Sequence, residues 1–110
     1  MSMNIDEFAK KFGYETICMP NPERNISGGY AGDLLSWVMG RLDADSAWVT
    51  IMSNINIVAV ATLTDPSCII LAEGVTPDEG VVEKAMAQDV NILSSSKTSF
   101  EVCADVKSVL

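Results

Sequence analysis

The sequence contains no histidine, and that absence removes more chemistry than any other feature it has. Imidazole-based metal sites, Ser-His-Asp and Cys-His nucleophile arrangements, and the usual proton shuttle near neutral pH are all excluded. Cationic side chains are scarce as well: 7 Lys and Arg stand against 15 Asp and Glu, a formal net charge of -8. Such a surface repels a polyphosphate backbone and an anionic bilayer, so neither nucleic acid nor a membrane is expected as a partner. No C-x-x-C pair occurs. The 3 cysteines, Cys18, Cys68 and Cys103, are far apart and lie in apolar stretches, which reads as reduced thiols packed as small hydrophobes and not as a metal or redox centre. Long hydrophobic runs are missing too. The segment "INIVAVATL" spans residues 55–63, too short to cross a bilayer, and the opening "MSMNIDEFAKKFG" has no basic region leading into an apolar one. A cytoplasmic protein without a secretory signal is expected.

What is present describes one folded domain, 1–110, with an N-terminal helix over 1–13 and a core over 14–110. A chain of 110 residues, 48% of them hydrophobic, has the size and composition to close around a single core. Asn4 followed by "IDEFAKKF" and Gly13 predicts a capped helix with Ile5, Phe8, Ala9 and Phe12 on one face. "YETICM" (residues 14–19) predicts a strand, ended by the irregular "PNPERN". "LLSWVMGRL" has helical spacing, "AWVTIM" (47–52) reads as a strand, and "INIVAVATL" as a buried helix. "CIILA" (68–72) is continuous rather than alternating, as parallel strands covered on both faces tend to be. In "VTPDEGVVEKAMAQ", Thr76 with Glu79 forms a capping-box pattern and Pro77 suits a first turn, predicting a helix that starts there. "VNILS" (90–94) is a last strand, before a closing helix. Helices and strands thus alternate at a spacing that implies right-handed crossovers. The expected fold class is α/β: a three-layer sandwich with a small, mainly parallel sheet of about four or five strands between helices.

In such a sheet, ligands gather at the carboxyl edge of the strands. The polar residues that follow the expected strands are therefore the candidates for ligand binding: Ser53, Asn54 and Asn56, then Glu73 and Gly74, then Ser95 (with Ser96) and Thr98. Each also suits a helix cap. No nucleophile has a visible base, so no catalytic residue is assigned, and no metal cluster is evident. The glycine-rich "GGYAGD" resembles a phosphate loop only loosely, since it lacks both the Lys-Ser/Thr of one such pattern and the G-x-G-x-x-G of another. Asp33 at the expected helix entry occupies the amides that a phosphate would use. Gly28, Gly29, Gly32 and Asp33 are therefore read as a structural turn and cap, with unusual backbone angles at the first two.

Taken in order, "GGYAGDLLSWVMGRL", "AWVTI", "INIVAVATL", "CIILAEGVTPDEGVVEKA" and "ILSSSKTSFEVCADV" resemble the DRTGG domain family, in the small stand-alone form found in bacteria and archaea. The resemblance implies a fold similar to the N-terminal domain of HPr kinase and a non-catalytic regulatory module acting as a homodimer. Relatives are fused to phosphotransacetylase or set between CBS modules in regulated pyrophosphatases, so it also implies a possible protein partner. No cofactor is evident, and a nucleotide ligand is possible by analogy with the family. The Asp-Arg-Thr-Gly-Gly run that names the family is matched here by "SNIN" (Ser53 to Asn56), without the basic residue. Two readings follow: a ligand-sensing homodimer, or an adaptor with no ligand that docks on a separately encoded enzyme through its acidic surface and Trp37 or Trp48.

Overall fold

Asn4 opens the first helix. Its Oδ1 accepts the Glu7 amide at 2.8 Å while Glu7 Oε1 accepts the Asn4 amide at 3.1 Å, a reciprocal cap that satisfies donors a helix start leaves unpaired. Gly13 ends the helix at φ 73°, in the left-handed region where a side chain would be strained. The computed structural model describes residues 3–110. In chain order its elements are β1 (Met3–Asn4), α1 (Ile5–Phe12), β2 (Glu15–Cys18), β3 (Asn25–Ile26), β4 (Gly28–Ala31), α2 (Leu35–Arg41), β5 (Ser46–Thr50), α3 (Asn56–Thr64), β6 (Cys68–Leu71), α4 (Val81–Ala87), β7 (Ile92–Ser94) and α5 (Ser99–Ser108).

The main sheet has five strands in the order β2-β7-β6-β5-β4, and β1 pairs with β3 in a separate two-stranded ribbon. β4 to β7 run parallel, and β2 lies antiparallel to β7. Because β4 to β7 are neighbours in the same order as in the chain, right-handed crossovers put α2, α3 and α4 on one face. There Val38, Ile57, Val58 and Val81 pack on Trp48, Ile69 and Leu71. α1 and α5 cover the other face, where Ile5, Phe8, Val102 and Val106 meet Val49, Ile70 and Leu93. Each such side chain, fully buried, contributes about 2 kcal/mol. The three-layer sandwich with a mainly parallel sheet is thus the fold the chain adopts. "CIIL" is buried at every residue, as its unbroken apolar run requires of a strand with helices on both sides.

At the amino edge of the sheet, Arg24 fastens the irregular segment. Its Nη1 reaches Asp65 Oδ1 at 2.7 Å and its Nη2 reaches Asp45 Oδ1 at 2.9 Å. Buried Asn91 holds the same segment through its amide group, donating to the Asn21 and Ser67 carbonyls at 2.8 and 2.9 Å and accepting the Asn21 amide at 3.0 Å.

Several local expectations are corrected. Gly28 and Gly29 form no turn; they sit in β4, paired with Ser46 and Ala47, and neither has positive φ. They are needed for close approach instead: a Cβ at Gly28 would come within 2.9 Å of Ser46 Oγ, and one at Gly29 within 2.9 Å of Val106 Cγ1. Gly32 is crowded as well, with the Tyr30 ring 3.0 Å from where its Cβ would stand, and its carbonyl accepts Trp48 Nε1 at 2.9 Å. Asp33 does not cap α2, whose N-cap is Leu34 without a side-chain bond. Its carboxylate turns to the end of β5 and accepts Thr50 Oγ1 at 2.7 Å and the Ile51 amide at 2.9 Å. Thr76 and Glu79 do not open α4, which starts at Val81 after Gly80 at φ 87°. Asp78 is drawn away by Ser53, whose carbonyl accepts its amide at 2.9 Å and whose hydroxyl donates to its carboxylate at 2.9 Å. Trp48 is fully buried and unavailable as a contact, whereas Trp37 is 55% exposed.

Candidate functional site

The four parallel strands end at one edge, and the loops after β5, β6 and β7 carry the candidate residues. β2 runs the other way, so its first residues reach the same edge. The loop after β6 leads to α4 on one face, and the loop after β7 leads to α5 on the opposite face. Adjacent connections therefore diverge between β6 and β7, the arrangement that opens a crevice in an α/β sheet. A cleft of about 330 Å³ lies there, at the lower end of the size range for small-molecule sites. Gly13 and Glu15 line it from the β2 side, Gly74, Val75 and Thr76 from the loop after β6, and Ser94, Ser95 and Ser96 from the end of β7.

Its walls are built by backbone geometry. Glu73 and Gly74 both take left-handed angles, φ 61° and 74°, which turn the chain sharply. For Glu73 that conformation costs about 1 kcal/mol or more. Three bonds hold it: the Glu73 and Gly74 amides donate to the carbonyls of Lys97 at 2.8 Å and Ser95 at 2.9 Å, and the Glu73 carboxylate accepts the Ser99 amide at 2.8 Å. Ser94 Oγ donates to Glu15 Oε2 at 3.3 Å, joining the β2 and β7 walls. Ser95 Oγ accepts the Lys97 amide at 3.0 Å.

Behind the cleft, Lys97 Nζ donates to Asp105 Oδ2 at 2.6 Å and to the Phe12 carbonyl at 3.2 Å, and lies 4.9 Å from the centre of the Tyr14 ring. Tyr14 donates its hydroxyl to the same Asp105 oxygen at 2.8 Å. Burial, and then the neighbouring Asp105, push the Tyr14 hydroxyl well above its ordinary pKa. The Lys97 charge is paired with Asp105, and this cluster braces the wall.

The candidate residues divide into two groups. Glu73, Gly74, Ser95 and Thr98 converge at the ends of β6 and β7, and of these Gly74 and Ser95 line the cleft. Thr98 is the cap of α5, its Oγ1 accepting the Glu101 amide at 3.2 Å while Glu101 Oε1 accepts the Thr98 amide at 2.9 Å. Hydrogen bonding to Thr98 holds the Glu101 carboxyl below its ordinary value. Ser53, Asn54 and Asn56 stand one strand away, between β5 and α3. Ser53 is bound to Asp78, and Asn54 Oδ1 accepts the Asn56 amide at 2.9 Å to open α3. The sequence reading passed over Gly13, Glu15, Thr76 and Ser94. Gly13 and Glu15 reach Ser94 because β2 runs antiparallel beside β7, whereas Thr76 comes from the loop after β6, beyond the residues that directly follow the strand; the one local signal is the glycine stop placed directly before β2.

A second cleft, of about 290 Å³, lies between β4 and α5 and is bordered by Tyr30, Val49, Cys103, Val106 and Leu110. Its lining is mostly apolar, with Lys107 among the lining residues. Burial raises the Cys103 thiol there and the Cys18 thiol in the opposite core, and pushes Cys68 up to about 12. All three therefore stay protonated at neutral pH, unlike a nucleophilic thiolate.

These features define a small α/β domain with a hydroxyl-lined crevice at the divergence of its crossovers. Residues 31–109 match the DRTGG domain model, and the chain belongs to the DRTGG domain family. Its fold is similar to that in the crystal structure of the CBS and DRTGG domains of the regulatory region of Clostridium perfringens pyrophosphatase, complexed with the activator diadenosine tetraphosphate. The TM-score is 0.76 at 13% identity, over 94% of this chain and 45% of that one, so this chain spans under half of the neighbour's length. No curated protein matches the chain in sequence.

Proposed function

We propose that the protein is a non-catalytic regulatory module that senses a small polar ligand in the β6/β7 crevice and works as a homodimer. The crevice carries the reading. It has ligand size, it sits where the connections diverge, and hydroxyl and backbone groups make up most of its lining. Membership of the DRTGG family and the regulatory role of the fold neighbour support the same reading. An amide NMR screen of nucleotides, sugars and amines against the labelled protein tests it. At least one compound is expected to shift the Gly13, Gly74 and Ser95 amides, and at 100 times its dissociation constant to stabilise the fold by about 3 kcal/mol. A screen in which nothing moves those amides would remove the sensing role.

The dimer reading draws on α3. From Asn56 to Thr64 that helix has no charged side chain, and around its outer surface Ile55 is 45% and Leu63 73% exposed. Two copies of a chain carrying -8 charges repel each other least where they meet on such an uncharged surface. Leu63→Asp is expected to convert a dimer to a monomer in sedimentation at tens of micromolar while leaving the melting curve nearly unchanged. If the unmodified protein is monodisperse and monomeric there, the dimer is wrong, and the exposed surface passes to a separately encoded partner, as an adaptor would use it.

A further inference from the structure

Taking the crevice as the ligand site, a step that rests on the reading above, we infer that it selects a ligand presenting hydrogen-bond donors, as an ammonium or a sugar hydroxyl does, and rejects a phosphorylated one. Glu15 is the one ionisable side chain among the described residues that line it. It is exposed, and one of its oxygens already accepts Ser94 Oγ. A carboxylate so placed favours donors and opposes a second anion within a few ångströms.

The nearest cation and most of the main-chain donors a phosphate would recruit at the α5 start are already taken. α5 starts at the crevice rim, and a free helix start is a ready anion site. Here the Ser99 amide is held by the Glu73 carboxylate, the Glu101 amide by Thr98 Oγ1, and the Thr98 amide by Glu101 Oε1. The cation nearest in sequence, Lys97, is committed to Asp105 and to the Phe12 carbonyl. Two carboxylates of the chain itself thus occupy two of the amides at the α5 start, and a third lines the cleft. What remains is the Glu15 carboxylate, which only accepts, and the Thr76 and Ser96 hydroxyls, which accept or donate; together they present one negative charge and no positive one, which suits an ammonium or a sugar hydroxyl better than a phosphate.

Paired titrations followed by the Gly13, Gly74 and Ser95 amides test this. Glucosamine is expected to bind about tenfold more tightly than glucosamine 6-phosphate, the difference that an added like charge near a carboxylate produces. Ethanolamine and methyl glucoside separate the ammonium from the hydroxyl contribution. Glu15→Gln, an exposed and nearly isosteric change that keeps an acceptor for Ser94, is expected to weaken glucosamine by about tenfold and to bring the two sugars within about twofold of each other. Equal or tighter binding of the phosphorylated sugar, or crevice shifts from anionic compounds alone, would overturn the ligand class while leaving the crevice a site. If no compound of either charge moves the crevice amides, the sensing reading falls with it.

Discussion

Between pH 9 and pH 12 the fold is expected to lose about 4 kcal/mol through one side chain, Cys68. Burial pushes its thiol from 9.0 up to about 12, offset only slightly by the Arg24 guanidinium. The sign follows from linkage. Below the unfolded value the thiol is protonated in both states and its contribution is fully present; above it, the unfolded chain releases the proton first. Each pH unit then removes about 1.4 kcal/mol until the folded value is reached. Cys18, Cys103 and Tyr14 are shifted in the same direction and add to the loss, Tyr14 only above about pH 10. Urea unfolding at pH 8 and pH 10.5 is expected to differ by about 2 kcal/mol or more, and Cys68→Ala to flatten the dependence markedly. Equal stability of the unmodified protein at the two pH values would show that the thiols are not held neutral by the core.

The change with the largest effect at neutral pH is Asn91→Asp. The Asn91 side chain is 2% exposed, and its amide nitrogen points at two carbonyls, those of Asn21 and Ser67. An introduced carboxylate would turn an oxygen toward both acceptors in a buried site. Breaking such a buried arrangement costs about 3–5 kcal/mol. Protonation restores one donor, so the carboxyl's folded pKa is raised above its unfolded value. Stability is then greatest below about pH 4 and falls as pH rises through the folded value. Melting curves at pH 4 and pH 7 decide it: a variant as stable as the parent at pH 7 would mean that the asparagine does not hold the loop as described.

Long-range topology, more than local pattern, separates what the sequence discloses from what it conceals. α1 was legible because Asn4, the apolar face and Gly13 are all local signals. So was β6, whose unbroken "CIIL" fits only a strand buried on both faces. β4 was hidden: "GGYA" has little strand propensity, and it extends because β5 and α5 require glycine at their closest approach. The start of α4 was misread because a capping pattern is overridden when its aspartate is bonded to Ser53, far away in the chain. Asp33 was misplaced for the same kind of reason, since its partners lie at the end of β5. Of the candidate site, the loops after β6 and β7 were found from the carboxyl-edge rule alone. The β2 wall was not, because strand direction leaves no mark on a sequence of four residues.

Glu15 and Ser94 touch across a separation of 79 residues. Each parallel pair, by contrast, joins strands consecutive in the chain, closed by one short crossover. Docking of β2 thus closes a longer loop than any of the parallel pairs, and the ladder it forms is interrupted by a register shift between Thr16 and Cys18. Contacts of that kind assemble late and open first. One wall of the crevice is thus hung on this long-range seam, and a molecule bound there would act as a clasp, tying β2 to the loops after β6 and β7.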